Sequence, residues 1–151
     1  MKPSFLDTST LVRYLLGLPE AMAERARSLI DSDRLLYLTG IVIAETAFVL
    51  TSFYKLPRET VIERLIECIQ RENITTFGME KALTVTGLSF CRPSGRISVP
   101  DALIWAAARS AGDSIVYTFD RRFPSEGIEL RSPGEGSENR SDRSQENGES
   151  T

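Results

Sequence analysis

Short apolar runs alternate with segments of helical period along the first 131 residues. Ser4–Leu6 meets Asp7 and passes through Thr8, Ser9 and Thr10 into a pattern that predicts a strand running into a helix, Thr10–Leu16, ended by Gly17. In Glu20–Ile30, Met22, Ala26, Leu29 and Ile30 recur at helical spacing. Leu35–Leu38 predicts a short strand, and Ile41–Tyr54 a strongly apolar helix stopped before Pro57. Arg58–Gln70 predicts an amphipathic helix with Val61, Ile62, Leu65, Ile66 and Ile69 on one side. Ile74–Phe77 reads as a strand, Met79–Phe90 as a helix and Arg92–Ile97 as a loop. Val99–Ala111 reads as a helix, Ser114–Phe119 as a strand, and a last short strand lies around Ile128–Leu130. Strands alternating with helical crossovers predict an α/β fold, a parallel sheet covered by helices on both faces.

From Ser132 the pattern stops. Residues 132–151 contain no Val, Ile, Leu, Phe, Trp or Tyr and carry five acidic residues against two Arg. Such a segment buries too little to offset its ordering entropy, so the expectation is one domain over residues 1–131 and a disordered acidic tail over 132–151. The formal net charge of −3 belongs to that tail. Ile41–Leu50, the most apolar stretch, carries Glu45 and is too short to span a membrane. An acid at position 7 argues against a secretory leader, and Cys68 and Cys91 lie far apart without C-x-x-C spacing. Both thiols are therefore expected reduced, in a cytoplasmic protein.

Composition narrows the chemistry. The chain has no histidine, which removes Ser-His-Asp and Cys-His catalysis, histidine bases and histidine-ligated metals. Carboxylates, hydroxyls, Arg and Lys remain, and a carboxylate site selects a hard cation, Mg2+ or Mn2+. A pI near 5.1 argues against gripping duplex DNA through bulk charge.

Four acids stand out from the surface background. Asp7 lies at a strand-to-helix joint, where chemistry gathers in open parallel sheets, and where an Asp also serves as a plain helix cap. Glu45 is the only charge in Ile41–Leu50, with Ile41 and Phe48 on its face. Burial there demands a cation, a hydrogen-bond network or a wet cleft, the plain alternatives being an Arg ion pair or a wet edge of an otherwise buried helix. Asp101 follows Ser98 and Pro100 in a capping-box arrangement, which explains it without function, yet it heads an apolar helix expected against the sheet. Asp120 ends a strand, as turn-starting Asp residues do. If the strands before Asp7 and Asp120 are neighbours, the two acids face each other across the crevice. Acids so crowded raise one another's pKa unless a divalent cation compensates them. Such an ion would activate water and neutralise a phosphodiester.

Asp7-Thr8-Ser9 after a first strand, Ala44-Glu45-Thr46, Pro100-Asp101-Ala102 at a late helix start, and Thr118-Phe119-Asp120-Arg121-Arg122-Phe123 together resemble the PIN-domain ribonucleases. More narrowly they resemble the VapC toxins of bacterial and archaeal toxin–antitoxin pairs, over about residues 4–130. The resemblance implies a three-layer α/β/α fold with a five-stranded parallel sheet in the order 3-2-1-4-5. It implies a Mg2+ or Mn2+ pocket held by Asp7, Glu45 and Asp101, with Asp120 the fourth acid and Thr8, Ser9 and Thr118 as hydroxyls that orient them. It implies cleavage of RNA, often tRNA or rRNA, a homodimer, and a cognate antitoxin that obstructs the pocket. Family members often carry a further acid where Ser98 stands, and the acidic tail is not a feature of the family.

Arg13, Arg92, Arg96, Arg121 and Arg122 lie in or near the site loops and could meet phosphates, or be solvated loop charges. A phosphoacceptor receiver needs a late Lys, and the last is Lys81; a haloacid-dehalogenase-type phosphatase needs Asp-x-Asp, and residue 9 is Ser. No Gly-rich phosphate loop occurs. The remaining rivals are a catalytically silent PIN module that binds RNA or a protein, and a housekeeping RNA-processing nuclease.

Overall fold

The structure, a computed structural model, describes residues 2–92 and 96–134. In chain order the elements are β1 Ser4–Phe5, α1 Thr8–Leu16, α2 Glu20–Ile30, β2 Leu36–Thr39, α3 Gly40–Phe48, a π-helical turn Val49–Phe53, α4 Arg58–Ile69 and β3 Ile74–Phe77. Then follow α5 Lys81–Ser89, α6 Val99–Ser110, β4 Ile115–Tyr117 and β5 Glu129–Arg131. The tail from residue 135 and residues 93–95 of the expected loop lie outside the described residues.

In α2 only Ala26 and Ile30 of the periodic residues are buried, with Ala23, while Met22 and Leu29 stay exposed, but α4 behaves as its spacing demands. In α4, Val61, Ile62, Leu65, Ile66 and Ile69 are all buried. α1 closes at Gly17, whose left-handed φ of 79° lets its N–H reach the Arg13 carbonyl at 2.9 Å. The single helix expected over 41–54 widens instead after Phe48. There Tyr54 N–H reaches back five residues to the Val49 carbonyl at 3.2 Å.

β1, β2 and β3 form one parallel sheet in the order β1-β2-β3, with Ser4 opposite Leu36 and Leu36 opposite Ile74. β4 and β5 form a separate parallel pair. This holds two parts of the expected 3-2-1-4-5 order, but among the described residues no ladder joins β1 to β4. β1 is only two residues long before the chain turns at Asp7 into α1, so it offers its outer neighbour few ladder groups.

The main core lies against one face of the β1-β2-β3 sheet. Leu6, Leu36, Leu38 and Ile74 point into a core shared with α1, α3 and α4, which extends to Leu88 of α5 and to Ala102 and Leu103 of α6. On the opposite face Phe5, Tyr37 and Phe77 form a ring cluster, with centroids 5.2 to 6.0 Å apart. Phe5 is 50% and Phe77 58% exposed. A smaller core of Trp105, Ala106 and Phe123 carries Val116 and Leu130 of the second sheet.

α5 and α6 meet through Gly87. A Cβ there would lie 2.8 Å from the Ala102 carbonyl oxygen and 3.2 Å from the Trp105 ring, so only glycine allows this approach. The Trp105 indole donates to the Glu126 carbonyl at 2.8 Å, and Arg58 donates to the carbonyls of Cys91 and Ile97. Together these contacts set where α6 begins.

Candidate active site

β1 and β2 are adjacent and parallel, so the residues that follow them emerge at one edge of the sheet. Asp7 follows β1 directly, and α3 starts on the residue after β2. Asp7 stands at the N-cap position of α1, with φ −88° and ψ 158°, yet its side chain makes no capping bond. Its backbone carbonyl takes the first helical N–H groups, from Thr10 at 3.1 Å and Leu11 at 3.2 Å. The carboxylate is left to accept from Ser9 Oγ, 3.1 Å from Oδ2. The plain cap reading of Asp7 is thus not the one the side chain adopts.

Thr8 is buried and donates its hydroxyl to Glu45 Oε2 at 3.2 Å. Glu45 itself faces water, because α3 turns its Ile41 and Phe48 face outward, with those residues 75% and 67% exposed. Of the readings the apolar run left open for Glu45, the structure shows the wet edge. Thr46, next in the chain, points the other way: its hydroxyl is fully buried and has no hydrogen-bond partner among the described residues. A hydroxyl inside an apolar run was the available signal for it.

Asp101 lies in the first turn of α6, half-buried, with Ser98 Oγ accepting its backbone N–H at 3.2 Å. The cap is Ser98; among the described residues the Asp101 carboxylate makes no return bond to Ser98. α6 packs against α3 and α5. Burial raises the Cys91 thiol pKa above its ordinary value, and the Asp101 charge adds to that rise while Arg58 opposes it. Asp7, Glu45 and Asp101 take part in none of the ion pairs among the described residues.

Asp120 is placed differently. Its Oδ1 accepts from the Arg122 backbone N–H at 2.9 Å and lies 3.9 Å from Arg122 Nε, while Thr118 Oγ1 accepts the Asp120 N–H at 3.0 Å. This is a side-chain turn at the end of β4. Without a β1–β4 ladder, no hydrogen-bonded register sets Asp120 opposite Asp7.

The donor set is all carboxylate and hydroxyl oxygen, the kind a hard divalent ion takes. Its fit is in kind and not yet in spacing. Among the described residues no three acidic or thiol side chains lie close enough to hold one ion.

Among the described residues no helix is long and apolar enough to cross a membrane. Neither curated proteins nor solved structures returned a match to the chain. The family model of the PIN domain matches residues 4–126, most of the described chain. PIN domains are generally nuclease folds, typically dependent on Mg2+ or Mn2+, and PIN nucleases bind RNA. A match over that much of the chain shows the family: the chain belongs to the PIN domain family.

Proposed function

We propose that the chain is an endoribonuclease dependent on Mg2+ or Mn2+, cutting RNA of the tRNA or rRNA class as the toxin of a toxin–antitoxin pair. Family membership supports the nuclease reading. The observation that carries it to these residues is the sheet edge where Asp7 and Glu45, each accepting from a hydroxyl of the first helical turn, stand without an ion-pair partner among the described residues. Asp7, Glu45 and Asp101 would hold the ion, and Asp120 is the fourth acid. When bound, the ion supplies a water of lowered pKa and charge stabilisation at the phosphodiester. Thr8 and Ser9 fix the orientation of the acids by donating to them, and Thr118 holds the Asp120 turn. A homodimer and an antitoxin that covers the acids complete this reading, in the cytoplasm.

The test incubates the full chain with end-labelled tRNA and rRNA fragments. The expected result is cleavage at discrete positions that stops in excess chelator and resumes with Mn2+. Full activity in chelator refutes the assignment. That no three acidic or thiol side chains among the described residues are grouped as an ion would need favours a second reading, a silent PIN module that binds RNA or a protein without cutting. RNA bound but intact in every divalent metal would select it. Cleavage without growth inhibition on expression would select a housekeeping nuclease over a toxin.

A further inference from the structure

A cleft between α1 and α2 opens beside the acids. Its floor is Met22, Ala26 and Leu29 of α2, and its walls carry Ser9, Arg13 and Arg25. No Asp or Glu lines it. Met22 is 48% and Leu29 36% exposed, an apolar surface left open to water. Arg13 is held in place by donating to the Leu18 carbonyl and the Tyr54 hydroxyl, both at 3.1 Å, and neither partner cancels its charge. Arg25 makes no hydrogen bond or ion pair among the described residues. Ser9 belongs to both places, lining the cleft and donating to Asp7 at 3.1 Å.

Resting on the nuclease reading above, we propose that this cleft seats the single-stranded RNA segment next to the scissile phosphate. Arg25 grips a backbone phosphate there, and Met22 and Leu29 receive the face of an unstacked base. Two guanidiniums in a cleft lined by no acid favour a polyanion, and Arg matches the planar fork of a phosphate. The open apolar floor selects an unpaired strand, because a duplex hides its base faces and presents sugar and phosphate alone. The neighbouring basic pocket lined by Arg27, Arg64 and Arg71 lacks these features. There Arg71 is paired with Asp31 at 2.9 Å, Arg64 donates to the Leu15 carbonyl at 2.8 Å, and Glu67 lies among them.

The test measures binding of a fluorescein-labelled single-stranded RNA 12-mer to the full chain in chelator, across a salt series, and KM for cleavage in Mn2+. Arg25→Ala should raise Kd and KM about fivefold and reduce the slope of log K against log salt by about 0.7, one phosphate contact on a single strand. Arg25→Glu should weaken binding further, and annealing the probe to its complement should remove the dependence on residue 25. Arg34→Ala, at the far end of β2, is the control and should change neither quantity. Circular dichroism of each variant confirms folding. Wild-type Kd, KM and slope in Arg25→Glu, with cleavage intact, overturn this inference and leave the nuclease standing. RNA binding that depends on residue 25 in a chain that cuts nothing supports the cleft and refutes the nuclease. If Arg25→Glu instead abolishes capture of a protein partner with RNA affinity unchanged, the cleft belongs to a protein strand and the inference fails.

Discussion

The Thr8 hydroxyl donates to Glu45 Oε2 across 3.2 Å, tying the first turn of α1 to the second turn of α3. Thr8→Val keeps the shape and removes the donor, freeing the Glu45 carboxylate to swing into solvent. We expect kcat for RNA cleavage to fall about tenfold, in line with lost outer contacts to ion-binding groups. One hydrogen bond of about 1 kcal/mol moves Tm by only about 2–4 °C in a chain of this size. Thr8→Ser should recover most of the rate. A Thr8→Val enzyme with unchanged kcat would detach this hydroxyl from function.

Asp101→Asn removes a charge and keeps the shape. Cleavage should drop about 100-fold or more, with the circular dichroism spectrum intact and Mn2+ binding weakened by calorimetry. Asp7→Asn and Glu45→Gln should behave alike. Asp120→Asn is the sharper case, because Asn supports the same side-chain turn that Asp120 makes with the Arg122 N–H. A fall in cleavage there reports lost charge, and wild-type activity would reduce Asp120 to a turn former.

Position 87 tests how rigidly α6 presents Asp101. The methyl of Gly87→Ala collides with the Ala102 carbonyl, one residue beyond Asp101. The overpacking should cost about 1–3 kcal/mol and lower activity beyond what the lost stability explains. Ser98→Ala deletes the cap on the Asp101 N–H instead, costing about 1 kcal/mol. If Gly87→Ala melts and cleaves like the wild type, α5 does not set the position of α6.

The buried thiols set an alkaline limit. Burial pushes Cys68 from an ordinary value near 9 up to about 11, and burial likewise raises Cys91 and Tyr14. Each group is held neutral by the fold, so its contribution is complete below the unfolded pKa and is lost as pH climbs through the folded one. Stability should therefore be steady to about pH 9 and fall by about 2–3 kcal/mol toward pH 11 from Cys68 alone. Denaturant midpoints between pH 7 and 11 check the slope. At pH 8 a disulfide-exchange reagent should react with neither thiol until the chain is unfolded. Fast native labelling of Cys68 would contradict its burial.

Much of this fold is legible from residue spacing alone. α4 follows from Val61, Ile62, Leu65, Ile66 and Ile69, whose period admits one helical face, and all five are buried. Ser98, Pro100 and Asp101 place the start of α6 to within a residue, because capping chemistry is local. Contacts across the chain were not legible. An apolar run does not say which side turns inward, so Glu45 could be read as buried or as a wet edge, and α3 exposes the Ile41 and Phe48 side. The Thr8–Glu45 bond spans 37 residues and has no local signature. The β1–β4 neighbourhood was expected from the family, and strands of two and three residues carry too little pattern to specify it.

The uncovered rings of Phe5, Tyr37 and Phe77 have a colloidal consequence. Wetting them is unfavourable, and sulfate or phosphate salts make it more so, whereas they screen any attraction between charges. The purified chain should grow stickier, not freer, as such salts are added, and light scattering should climb with ammonium sulfate well before ordinary salting-out. A polar substitution such as Phe77→Lys should flatten that climb.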